Sequence, residues 1–127
     1  MNESEPNEDF LDLIGLRHIE DGSGAQNEIE IGPQHFNPYG VVHGGVIYSL
    51  ADTAMGAVLA PELAESERTA TIEIKINYLA AVREGTIRAS TTVVNRGRRV
   101  AVLESDVFNG DRLVAKALGS FAIFEVQ

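Results

Sequence analysis

Two features of this chain could do chemistry together. Asp52 stands inside the run Val46 to Ala60, whose other members include Ile47, Leu50, Ala51, Ala54, Met55, Val58 and Leu59. A carboxylate in such surroundings costs several kcal/mol of desolvation unless it is paired or put to use. It therefore reads in one of two ways: as a solvated or backbone-bonded structural group, or as a nucleophile or general base. Just before the run, His43-Gly44-Gly45 offers backbone amides with no side-chain obstruction. At a helix N-terminus such amides lack intrahelical acceptors and sit at the positive end of the helix dipole. They can bind an anion or polarise a carbonyl, or the glycines can serve only to bend the chain. His43 is divided in the same way, between a capping residue and a proton-transferring base.

These residues belong to a longer pattern. Asn37, Gly40, His43, Gly44, Gly45 and Asp52 stand as N-x-x-G-x-x-H-G-G-x-x-x-x-x-x-D, which chance would produce in on the order of one in a million chains. With this motif the sequence closely resembles the phenylacetate-pathway-type (PaaI-like) branch of the hotdog-fold acyl-CoA thioesterases. The similarity runs from about Phe10 to Phe124 and takes in Leu50-Ala51-Asp52-Thr53-Ala54 and the strand Ile74 to Leu79.

The resemblance implies an α+β hotdog fold, an antiparallel sheet wrapped around one long helix. It implies a hydrolase that splits an acyl-CoA into free acid and coenzyme A, with an aryl or medium-chain acyl group. Coenzyme A enters as part of the substrate, and neither cofactor nor metal is implied. In the family's pattern the Gly44 N–H polarises the thioester carbonyl and Asp52 acts as nucleophile or as general base on water. Asn37 orients the water or thioester, Thr71 supplies a hydroxyl that positions the water, and His43 and Gly45 complete the substrate-binding loop.

Helix geometry adds a constraint. Gly44 and Asp52 lie about 12 Å apart along a helix axis at about 1.5 Å per residue. One acyl carbon needs both groups within about 3–3.5 Å. A single helix cannot provide them, whereas two antiparallel helices across a two-fold axis can. The expected assembly is a homodimer with shared sites, and the resemblance implies a homotetramer built from two such dimers.

The elements that must hold these residues follow from periodicity. Asp9 to Ile14 reads as a helical turn with Phe10, Leu13 and Ile14 toward the core. Leu16 to Ile19 and Ala25 to Ile31 read as short strands around the turn Asp21-Gly22-Ser23-Gly24, and Gly32 to Val42 as a loop. Val46 to Ala60 reads as a helix buried on nearly every side, stopped at Pro61. Beyond an acidic loop, Glu62 to Arg68, Thr71, Glu73, Lys75 and Asn77 alternate with Ile72, Ile74, Ile76 and Tyr78. That is strand periodicity with Thr71 on the polar side. Three more strands are expected over Thr86 to Val94, Arg99 to Phe108 and Arg112 to Phe124, with turns at Asn95-Arg96-Gly97-Arg98 and Asn109-Gly110.

Composition bounds the rest. The 127 residues suit one domain, read as a disordered acidic segment 1–8 followed by a single domain 9–127. A formal charge of -9 argues against nucleic acid or anionic membranes as partners. The excess of 19 acidic residues over 10 Lys and Arg fits either a high-salt adaptation or a mildly acidic cytosolic protein. The chain has 0 cysteines, so thiolate catalysis and disulfides are excluded. The acidic start lacks the layout of a secretory signal, and a cytoplasmic location is expected.

Coenzyme A carries phosphates, and Arg96, Arg98 and Arg99 crowd one turn as candidate partners; a solvated turn is the other reading. Lys75 and Arg83 are weaker candidates. The acyl pocket would be walled by Phe36, Tyr39, Tyr48, Met55 and the loop after Pro61. A hotdog hydratase or dehydratase would need a His paired with an acid, but His18 and His35 lie away from the helix start. A non-catalytic acyl-CoA-binding module would have no use for a carboxylate beside the thioester.

Overall fold

A computed structural model describes residues 9–127; the segment 1–8, expected to be disordered, lies outside them. Its elements are α1 (Phe10–Ile14), β1 (Leu16–His18), β2 (Asn27–Glu30), α2 (Gly44–Leu59), β3 (Glu67–Tyr78), β4 (Thr86–Arg96), β5 (Val100–Asn109) and β6 (Arg112–Glu125), with 3-10 turns at Pro33–His35 and Ala60–Glu62. The strands form one antiparallel sheet in the order β1-β2-β4-β5-β6-β3. The sheet curls around α2, which is the expected hotdog arrangement.

The sheet's inner face explains why the helix fits. Ala101, Leu103 and Val107 on β5 and Ala115, Ala117, Phe121 and Ile123 on β6 are buried at alternate positions. On α2 the matching face is Ile47, Leu50, Ala51, Ala54, Met55 and Leu59, a helical i, i+3, i+4 stripe. The small residues of β6 let the helix lie close to the strands. A polar pair within this core satisfies itself: Thr91 Oγ1 donates to Ser105 Oγ over 2.8 Å.

Four expectations are corrected. The helix is buried along one face only in the single chain, and Val46, Tyr48, Asp52, Thr53 and Gly56 are partly open on the rest. Helix α1 turns Leu11 and Ile14 toward the core, while Phe10 and Leu13 are exposed. Gly15 ends that helix after little more than one turn, and the need to enter β1 with Leu16 buried fixes its rotation. Strand β3 begins at Glu67 rather than after the acidic loop.

The fourth correction concerns the phase of β3. Opposite β6, Thr71 pairs with Phe121 and Glu73 with Ser120, so Ile72 is an unpaired β-bulge residue. Beyond the bulge Ile74, Ile76 and Tyr78 face Gly119, Ala117 and Ala115 on the inner side. Before it, Thr71 faces the buried Phe121 and is also on the inner side. A strict alternation would have sent Thr71 outward.

Candidate active site

The start of α2 is built by its approach loop. Asn37 Oδ1 accepts from the Tyr39 N–H over 2.8 Å and from the Val41 N–H over 3.4 Å. Gly40 closes this turn at φ 81°, a left-handed geometry that favours glycine. The Asn37 side-chain amide nitrogen has no acceptor among the described residues. His35, itself buried, accepts from Gly32 N–H at Nδ1 and donates from Nε2 to the Ile14 carbonyl over 2.6 Å. Its own carbonyl accepts from the His43 N–H over 2.8 Å. The loop is therefore pinned to α1 on one side and to the helix start on the other.

At that start, His43 is the N-cap, and its Nδ1 accepts from Gly45 N–H over 2.8 Å. A Cβ on Gly45 would lie 3.0 Å from that nitrogen. His43 thus caps the helix. The Gly44 N–H, at the first helical position, has no acceptor among the described residues. A donor at the positive end of a 16-residue helix is a suitable partner for an oxygen that gains negative charge.

Sequence reasoning read Tyr78 only as part of a strand. Its hydroxyl donates to the Gly44 carbonyl over 2.8 Å. A Cβ on Gly44 would sit 3.0 Å from its Cζ and 3.1 Å from its hydroxyl oxygen. Partial burial, and secondarily the neighbouring Tyr48 phenol, hold the Tyr78 hydroxyl above its ordinary value of 10.0. The signal that could have found it is the glycine itself, which needs a close neighbour to explain its lack of a side chain.

Asp52 lies two turns further along α2, half-buried, and Thr71 Oγ1 donates to its Oδ1 over 2.7 Å. Its other oxygen has no donor among the described residues. The site residues therefore fall into two groups on one helix. Gly44 is gathered with Tyr78, and Asp52 with Thr71.

Beside Gly44 opens a cleft of about 440 Å³ with apolar walls from Val41, Val42, Ile47, Leu79 and Val82. The side chains expected to wall a pocket do not line it. Met55 is fully buried against the sheet beneath Gly119, and Tyr39 stands 92% exposed at the loop tip. The three arginines separate as well. Arg96 bridges Glu67 over 3.1 Å and donates to the Glu62 and Gly97 carbonyls, so it fastens the loop before β3. Arg98 and Arg99 line an open groove of about 480 Å³ with Glu67, Phe124 and Glu125. Among the described residues no cluster of His, Cys, Asp or Glu could hold a metal ion. No described helix is long and apolar enough to cross a membrane.

Known proteins share both sequence and fold with this chain. The family model described as the Thioesterase superfamily matches residues 39–116. A Saccharolobus solfataricus relative, provisionally named an esterase, is 34% identical over 86 residues, 67% of this chain and 57% of that one. A conserved Pseudomonas aeruginosa protein of solved structure is 36% identical, with TM-score 0.82 over 92% of this chain and 94% of that one. A Bacillus halodurans protein solved with CoA is 30% identical, with TM-score 0.82 over 90% and 74% of the two chains. The fold is also that of the phenylacetic acid degradation protein PaaI of Thermus thermophilus, at 24% identity and TM-score 0.77 over 89% and 96%.

Proposed function

The chain belongs to the thioesterase superfamily, and from that premise we propose that it is a PaaI-like hotdog thioester hydrolase that cleaves acyl-CoA through sites shared between two protomers. The observation that carries this reading is the pairing of Thr71 with Asp52 on the helix whose start leaves the Gly44 N–H free. In each site, the Gly44 amide of one protomer and the Asp52 carboxylate of the other close on one acyl carbon. Two features of the single chain support the pairing. The open side of α2 carries Gly45, Ser49, Asp52 and Gly56, small enough for a second helix to approach closely. Strand β3 is the longer of the two edge strands, with Ile72 55% exposed, and long apolar edges are normally covered.

In this mechanism the thioester carbonyl accepts from Gly44 N–H, a bond that strengthens as the oxygen becomes negative. Thr71 holds Asp52 Oδ1 and leaves the other carboxylate oxygen to attack the carbonyl or to take a proton from attacking water. In either route the tetrahedral carbon releases the sulfur as the C–S bond breaks, and the thiolate regains a proton from solvent or, in the water route, from Asp52. After direct attack, water then hydrolyses the acyl–Asp52 anhydride to the free acid and the carboxylate. The Asn37 amide nitrogen is available to the water or the thioester. The apolar cleft beside Gly44 favours an aryl or medium-chain acyl group, with aryl preferred by likeness to the PaaI-type proteins. Arg98 and Arg99 face the coenzyme A phosphates, Arg96 being already engaged.

The test is release of free thiol from a panel of aryl and alkyl acyl-CoAs. Wild type should turn over at least one class, and Asp52→Ala should lose on the order of a hundredfold or more in kcat with the fold retained. Wild-type turnover by Asp52→Ala would sink the mechanism.

A further inference from the structure

We infer that Tyr78 is a positioning residue of the hydrolytic site: it holds the Gly44 α-carbon and carbonyl from outside the helix and so fixes where the preceding amide, which receives the thioester oxygen, stands. The inference rests on the reading of Gly44 given above. It addresses a step that reading leaves open, namely what holds a glycine peptide still.

Gly44 is the first residue of its helix, and its N–H has no acceptor to orient it. Glycine also carries the least intrinsic restraint on φ and ψ. A donor that swings loses its advantage, because oxyanion stabilisation depends on a dipole already aimed before charge develops. The helix restrains one side of this amide: Val46 N–H donates to the His43 carbonyl, on the peptide that carries the Gly44 N–H, over 3.0 Å, and the His43 side chain caps Gly45. Tyr78 restrains the other side, beyond the Gly44 α-carbon. Its hydroxyl donates to the Gly44 carbonyl over 2.8 Å, while its Cζ lies 3.0 Å from where a Cβ on Gly44 would stand. Carbonyl and α-carbon are thus both held by a side chain from a different element.

The same contact explains the residue type at position 44. A methyl group there would meet the ring and force it to move by a few tenths of an ångström, lengthening and misaligning the hydroxyl bond. The ring can occupy this place because the bulge at Ile72 puts even-numbered Tyr78 and odd-numbered Thr71 on one side of β3. One irregularity therefore serves both ends of the helix, with Thr71 on Asp52 and Tyr78 on Gly44.

The test is a cycle of Tyr78→Phe, Tyr78→Ala and Gly44→Ala, singly and with Gly44→Ala combined with Tyr78→Ala. Tyr78→Phe keeps the ring and should lower kcat about tenfold, with KM within about twofold and little change in Tm. Gly44→Ala should cost clearly more in the wild-type background than beside Tyr78→Ala, where no ring stands in the way. Wild-type kcat in Tyr78→Phe, or additive losses in the cycle, would overturn the clamp. A readout independent of turnover is 15N relaxation of the Gly44 amide, which should lose order in Tyr78→Phe; an unchanged order parameter would also overturn it. Failure of wild type to release thiol from any acyl-CoA would strike the hydrolase mechanism instead, and the relaxation result would still decide the clamp.

Discussion

Thr71 donates to Asp52 over 2.7 Å although the two stand 19 residues apart and a regular strand would have aimed Thr71 away from the helix. The unpaired Ile72 makes the contact possible by shifting the phase of β3 by one residue. A half-buried carboxylate thereby acquires a directional donor on one oxygen, with the other left open. Bulges recur beside active sites because they re-aim one side chain without rebuilding the sheet.

If that hydroxyl orients Asp52, Thr71→Val should lower kcat by about ten- to a hundredfold, while Thr71→Ser should recover most of the loss. Thr71 is exposed on an edge strand and Val is a good strand former, so Tm should move little. Steady-state kinetics and thermal melts of the two variants check this. Equal kcat in Thr71→Val and wild type would exclude a role for the hydroxyl.

A shared site can be tested by complementation. Asp52→Ala removes the carboxylate, and Gly44→Pro, made together with Tyr78→Ala so that no ring meets the new Cβ, removes the N–H at a first helical position. Each homodimer should be inactive. After unfolding and refolding a one-to-one mixture, half the dimers are mixed and each has one intact site, so activity should return to about a quarter of wild type. No recovery, in a mixture shown to contain mixed dimers, would place both groups within one protomer.

The arginines should divide by function. Arg98→Ala with Arg99→Ala should raise KM for acyl-CoA by about tenfold or more, yet leave KM for a short acyl-pantetheine lacking the nucleotide phosphates unchanged. Arg96→Ala should instead lower Tm, because Glu67 and the Glu62 carbonyl lose their partner. Equal KM changes for both substrates would remove the phosphate role.

Alkaline titration gives a separate check on Tyr78. Its hydroxyl titrates above 10.0 in the fold, so the folded chain holds this proton more tightly than the unfolded one. Its contribution to stability is complete below that pH and is lost as pH rises through the raised value. Ultraviolet titration of the three tyrosines should contain a late component that Tyr78→Phe removes. Three tyrosines all titrating at the ordinary value would contradict the burial described for it.

What the sequence determined by itself was local. The long apolar run with one carboxylate, stopped at Pro61, specified that α2 is a helix, and His43-Gly44-Gly45 marked its start, because helix propensity and capping are decided by residues within a turn or two of each other. The hairpin at Asn109-Gly110 was legible for the same reason. Tertiary structure alone decided the partners. Thr71 turned inward, Tyr78 came over Gly44, Met55 went under Gly119 rather than into a pocket, and Arg96 was drawn to Glu67. The first two depend on the register between β3 and β6, and the others on which elements the fold brings together. A one-residue bulge exchanges the two faces of a strand, and it is set by pairing with β6, nearly fifty residues away along the chain.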